Sequence, residues 1–160
     1  MARVKKIMLA DVPAIKKEAK VSEAVGLLAK AGSGCVVVVE GKKPIGIITE
    51  LDIVRNVISK GKKLDIPLRS IMTSPVSLME PDMKLDEALK IIDTKKFRRY
   101  PVAENGQLVG LATKRDIVNA ISDNLKFHRN IQNTVLVLFV LFEFFVFVFS
   151  KYLARLPFLK

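Results

Sequence analysis

The sequence predicts an α+β fold of two β-α-β-β-α repeats packed together, followed by a C-terminal hydrophobic helix. Three observations predict it. First, the run Gly46-Ile47-Ile48-Thr49-Glu50-Leu51-Asp52-Ile53-Val54 returns as Gly110-Leu111-Ala112-Thr113-Lys114-Arg115-Asp116-Ile117-Val118, 64 positions later. The offset holds upstream without a gap: Ile7-Met8 falls on Ile71-Met72, Val12 on Val76, Glu23-Ala24 on Glu87-Ala88 and Val38 on Val102. Register kept over about fifty positions marks a duplicated supersecondary unit. Second, within each copy the apolar period switches between helix and strand. Third, residues 135–149 are apolar except for Glu143.

In the first copy, Val21, Ala24, Val25, Leu27 and Leu28 recur at helical spacing, with Ser22 as the expected cap and Gly32 and Gly34 as the stop. Residues 35–39 are a β-branched strand, and residues 41–44 a turn. Residues 45–49 make a second strand, and residues 50–59 a helix with Leu51, Val54 and Ile58 on one face. The second copy predicts a helix over 85–96, a strand over 99–103, a hairpin turn at Asn105-Gly106, a strand over 108–113 and a helix over 114–124. Residues 60–63 link the copies. The expected boundaries are 1–62, 63–125 and a tail at 126–160. One repeat alone would bury little surface, so the two are expected to share a core.

Lys and Arg number 27 against 16 acids, a net charge of +11 over 160 residues. About +7 of it lies before residue 126, which points to an anionic partner for the repeats themselves. Cys35 is the only cysteine, flanked by valines; it reads as a buried thiol in a reducing, cytoplasmic setting. The N-terminus leads into no apolar signal region. Gly41-Lys42-Lys43 is a turn and not a phosphate loop. His128 is the only histidine, so one chain cannot build a usual zinc site, and no carboxylate pair stands out as an acid–base couple. The chain reads as a sensor and not as an enzyme.

In the tail, fourteen apolar residues contribute about −6 kcal/mol to membrane insertion, against about +3 for one acid. Residues 134–149 reach only about 24 Å, short of the roughly 30 Å hydrocarbon core. Tyr152, Leu153 and Ala154 extend the span if Lys151 snorkels. Lys126, His128, Arg129, Lys151 and Arg155 are candidate headgroup anchors. Three readings stand: a membrane-associated anchor meeting lipid or a membrane protein through residues 131–156, a helix buried in an oligomer, or a segment without a membrane role.

The doubled Gly-h-h-Thr-x-x-Asp-h pattern within β-α-β-β-α units resembles the cystathionine-beta-synthase (CBS) domain family in its tandem form. Ile71-Met72-Thr73 and Tyr100-Pro101-Val102 are similar to that family's usual segments. The resemblance covers residues 3–124. It implies a pseudo-twofold pair with two clefts, an adenosine ligand (AMP, ADP, ATP or S-adenosylmethionine), a homodimer, and regulation of a partner.

The residues carry a chemistry of their own. A first-turn Asp accepts hydrogen bonds from vicinal ribose hydroxyls. A Thr at the strand-to-helix junction sits where the helix N-terminus favours phosphate. The alternative is that Thr49 and Thr113 are N-caps, with Asp52 and Asp116 as favourable first-turn charges. Lys114-Arg115 would bind phosphate, whereas Glu50-Leu51 would not, so the clefts are expected to differ. The resemblance further implies that adenine contacts Thr73, Ser74, Val76, Tyr100 and Pro101 in the cleft of Thr113 and Asp116. In the other cleft it implies Leu9, Ala10, Val12, Val36 and Val37, although Val36-Val37 departs from Tyr100-Pro101. Arg98 and Arg99 either reach phosphate or face solvent or a dimer partner. Two rivals remain: nucleic-acid binding through the basic–aromatic run at residues 95–100, and a ligand-free dimerisation module.

Overall fold

The computed structural model describes residues 2–95 and 97–153, without the side chains of Asn124, Leu125, His128, Tyr152 and Leu153. The expectations for Lys96, His128, Tyr152, Leu153, Ala154, Arg155 and the end of the 131–156 segment therefore lie outside the described residues. Two compact units are present, residues 1–120 and 121–160.

In the first unit, β1 (Ala14–Lys16), β2 (Cys35–Glu40) and β3 (Lys43–Thr49) form one sheet in the order β1-β2-β3. α1 (Val21–Lys30) and α2 (Glu50–Asn56) belong to the same repeat. The second repeat supplies α3 (Leu85–Lys95), the hairpin β4 (Arg99–Glu104) and β5 (Gln107–Thr113), and the start of α4 (Lys114–Leu153). The two hairpins are copies in register: Cys35 pairs with Thr49 as Arg99 does with Thr113, and each has a bulge at the same place, Val38/Val39 and Val102/Ala103. Asn105 and Gly106 take φ of 49° and 76°, as a two-residue hairpin turn requires. In repeat two the counterpart of β1 is the single parallel bridge Met79–Val102.

The repeats exchange their N-terminal arms. Leu9 bridges to Leu111 on β5, and Thr73 bridges to Ile47 on β3. Arg3 meets Lys84 as Pro67 meets Lys20. Leu68 and Ile71 from the start of repeat two are buried with Val21, Ala24, Val36, Val38 and Ile48 of repeat one. Burying each such side chain contributes about 1.5–3 kcal/mol, so repeat one does not close its core without the arm of repeat two. A second cluster joins Val37, Val39 and Ile47 to Leu111, with Val12 and Val76 packed against it.

Three local expectations need correction. Ser22 does not cap α1. The helix begins at Val21, and Glu23 Oε1 accepts from the Lys20 N–H at 2.9 Å, because a carboxylate at the third position reaches back to the cap backbone. The helix expected to stop at residue 124 does not stop there. α4 continues to Leu153, because nothing from residue 125 to 149 is Gly or Pro. α2 ends at Asn56, and a 3-10 turn follows at Ile58–Lys60.

In the second unit, Arg129–Lys151 is long and apolar enough to cross a membrane, with mean hydropathy 2.3 and none of it buried. Its 23 residues span roughly 34 Å, so the shortfall expected from residues 134–149 alone is removed.

Candidate functional site

The Thr-x-x-Asp pairs both fold as caps. In repeat one, Thr49 is the N-cap of α2; its Oγ1 accepts from the Asp52 N–H at 3.3 Å. Asp52 Oδ2 accepts from the Thr49 N–H at 2.8 Å and the Thr49 hydroxyl at 2.6 Å. In repeat two, the Thr113 hydroxyl donates to Asp116 Oδ2 at 2.6 Å, and Thr113 Oγ1 accepts from the Asp116 N–H at 3.2 Å. Each Thr thus holds its Asp in one rotamer. Among the described residues every bond to the Asp116 carboxylate falls on Oδ2, leaving Oδ1 free to accept from a ligand hydroxyl.

Only one of these caps borders the large cleft of the first unit, a space of about 1150 Å³. Thr113, Lys114, Arg115 and Asp116 form one wall, from β5 and the first turn of α4. Arg98 precedes β4 and Arg99 opens it, Leu9, Asp11 and Pro13 come from the arm of repeat one, and Lys30 to Ser33 from the last residue of α1 and the loop after it. Arg99 is held in place: its Nε donates to the Ser33 carbonyl at 3.0 Å, and its Nη2 occupies the space where a side chain on Gly34 would begin, 2.7 Å from an added Cβ. The Lys114 N–H donates to the Arg98 carbonyl at 2.9 Å, tying the helix start to the residue that leads into β4.

The lining holds five cations, Lys30, Arg98, Arg99, Lys114 and Arg115, against two carboxylates, Asp11 and Asp116. The duplication makes this charge meaningful. At an offset of 64, the five cations correspond in the other half to Thr94, Gly34, Cys35, Glu50 and Leu51. None of these is basic and one is acidic, but the counterparts of Asn119, Ala31 and Gly32 are Arg55, Lys95 and Lys96, so the mirrored positions hold three cations against Glu50 and Asp52. The cleft's lining carries a net +3 where the mirrored positions carry +1, so the half-site of Asp116 attracts an anion more strongly than its pseudo-symmetric twin.

Of the residues singled out in the sequence, Thr113, Lys114, Arg115, Asp116 and Arg99 are brought together in this cleft. Thr73 and Ser74 are placed at repeat one instead: Thr73 pairs with Ile47, and the Ser74 hydroxyl donates to the Ile45 carbonyl at 2.9 Å. Arm exchange is the physical reason, and it also brings Leu9 to the cleft of repeat two. Val12 and Val76 pack against the cluster shared by the repeats. Val36 is fully buried in the core of repeat one, and Pro101 is buried opposite Leu111. Tyr100 is fully buried; its hydroxyl donates to the Phe97 carbonyl at 3.1 Å, and burial pushes the phenol up from its ordinary value. Thr49 and Asp52 cap α2 as described. Asp11, Pro13, Lys30 and Ser33 were not singled out, because only the exchanged arm and the end of α1 bring them near residue 116.

The sequence profile of the CBS domain matches residues 4–59 and 68–123. The chain belongs to the CBS domain family. An uncharacterised protein of Methanopyrus kandleri is 47% identical over 90 residues, covering 54% of this chain and 46% of its own length. The chain thus spans about half the length of that relative. Among solved structures, an uncharacterised conserved protein of Pyrococcus horikoshii matches with 29% identity and a TM-score of 0.66, over 74% of this chain and 91% of its own. A CBS domain protein of Pyrobaculum aerophilum, solved in complex with AMP, matches with 25% identity and a TM-score of 0.65, over 72% of this chain and 89% of its own. The tandem CBS pair is the fold of the repeats, and the long helix α4 is added to it.

Proposed function

We propose that the chain is a regulatory, non-enzymatic CBS pair that binds an adenosine di- or triphosphate in the cleft of Thr113 and Asp116. The observation that carries the reading is the charge of that cleft, five cations against two acids, where the pseudo-symmetric positions hold three against two. Asp116 Oδ1 takes a ribose hydroxyl, and Arg98, Arg99, Lys114, Arg115 and Lys30 take the phosphates. Arginine and lysine bonds to phosphate are charge-assisted and contribute about 1.5–3 kcal/mol each. Five of them exceed what one phosphate uses, so ADP and ATP are favoured over AMP. S-Adenosylmethionine carries a sulfonium cation and is disfavoured. The AMP held by the Pyrobaculum relative supports the adenosine class.

Because the cleft joins the arm of repeat one to β5 and α4 of repeat two, a bound ligand draws the two repeats toward one packing and shifts a population of states. Exposed Leu51, Val54 and Ile58, with Val118 at the start of α4, support a homodimer through this unit. The exposed apolar helix of residues 129–151 supports a membrane anchor that leaves the CBS pair on the cytoplasmic side, where a lipid surface or a membrane protein receives the signal. Nucleic-acid binding through residues 95–100 is less favoured, since Tyr100 is fully buried and Phe97 alone of the two aromatics offers an exposed face.

Titration calorimetry of the full chain in detergent tests the reading against AMP, ADP, ATP, S-adenosylmethionine and a short oligonucleotide. ADP or ATP is expected to bind roughly tenfold or more tightly than AMP, the value of one further charge-assisted bond. No heat is expected from S-adenosylmethionine. Salt-sensitive oligonucleotide binding without nucleotide binding would move the function to nucleic acid, and silence from all five ligands would leave a dimerisation module.

A further inference from the structure

The apolar stretch from Arg129 to Lys151 contains one acid, Glu143. It stands three residues from the centre of that stretch, roughly 4.5 Å along the helix axis. Lys151 is eight residues away, about 12 Å, and Arg129 is further. A glutamate side chain is too short to reach the headgroups from there, unlike the long stems of Lys and Arg. Its neighbours one turn away are Phe139, Val140, Val146 and Phe147. Lys151 turns instead to the Phe147 ring, with its Nζ 5.8 Å from the centroid. Among the described residues Glu143 has no hydrogen bond and no ion pair.

We infer that Glu143 is a docking point for the transmembrane helix of a different protein, one that carries a Lys or Arg at the same depth. The inference rests on the membrane reading of α4 proposed above. An ionisable side chain within a membrane span is costly and is retained where it meets a partner. A second copy of this chain does not supply the cation. Each copy keeps its folded CBS unit on the same side, so two copies bring Glu143 beside Glu143: ionised they repel, and they pair only after a carboxyl takes up a proton, whereas a Lys or Arg meets the carboxylate as it stands. Residues 135–149 also lack Gly, Ala and Ser, so the close backbone approach of small-residue interfaces is not open to this helix. Charge complementarity is what remains to choose the partner.

The test uses the full chain, dye-labelled at its N-terminus, in vesicles of phosphatidylcholine with a minority of phosphatidylglycerol. The probe is an acceptor-labelled synthetic helix of leucine and alanine with one central lysine; its twin carries leucine there. Energy transfer to the lysine helix is expected at roughly tenfold lower peptide density than to the twin. Glu143→Leu, which removes both the charge and the hydrogen-bonding groups and keeps insertion, is expected to erase the difference. Equal transfer to both helices from a chain that floats with the vesicles would overturn the docking role and leave the membrane reading standing. Self-association of the chain that Glu143→Leu abolishes would also overturn it, in favour of a second copy. Failure to float with the vesicles would overturn the membrane reading and the docking role with it.

Discussion

Gly46 and Gly110 open the two copies of the repeated motif, and their reason becomes physical once the arms are seen to cross. A Cβ on Gly110 would lie 2.6 Å from the Met8 sulfur and 3.0 Å from the Leu9 carbonyl oxygen; on Gly46 the matching distances are 2.8 Å to Met72 and 3.2 Å to Thr73. A methionine side chain can move aside. The carbonyls cannot, since Leu9 and Leu111 exchange two backbone hydrogen bonds of 2.9 Å. Gly110→Ala is therefore expected to destabilise the fold by about 1–3 kcal/mol, as overpacking does, and Gly46→Ala by less. Thermal melts of the two variants check the order. The glycines were legible in the sequence as a repeated pattern. The clash that requires them was not, because it involves residues about a hundred positions away in one case and 26 in the other.

At the scale of elements, the strands were the most legible part. The valine run of β2 and the Asn105-Gly106 turn fixed their own conformations through β-branching and left-handed φ. Cys35, read as a buried thiol, is fully buried on β2, and burial pushes the thiol up, partly opposed by Arg99 and a hydrogen bond from Ser33. A thiol reagent is expected to leave Cys35 untouched in the folded protein and to react fully in urea. The linkage has a definite sign. The folded thiol keeps its proton where the unfolded chain releases it, above about pH 8.5, so this group's contribution to stability falls as pH rises through that value. Denaturant melts across that range should show a decline that Cys35→Ala lessens. Helix ends were less legible. Composition changes sharply near residue 125, yet α4 runs through it, since a change of solvent preference does not break the hydrogen-bond ladder of a helix.

For the molecule as a whole, the duplication told how many repeats there are but not which arm closes which core. Linear order groups Thr73 and Ser74 with Thr113 and Asp116, whereas the reciprocal bridges Leu9–Leu111 and Thr73–Ile47 group them across the repeats. The cleft was legible where its chemistry is contiguous, at residues 113–116, and silent where it is assembled from Asp11, Lys30 and Ser33. The two copies also differ in their half-sites: Asp52 and Asp116 correspond, whereas the five cations around Asp116 have no basic counterparts and the mirrored lining keeps a smaller net charge from Arg55, Lys95 and Lys96. Only the half-site of Asp116 is expected to bind nucleotide. Titration of ADP into the full chain, Asp116→Ala and Asp52→Ala tests it most directly. A loss of roughly tenfold or more in Asp116→Ala, with Asp52→Ala near the parent, is the predicted result; equal losses in the two variants would contradict it.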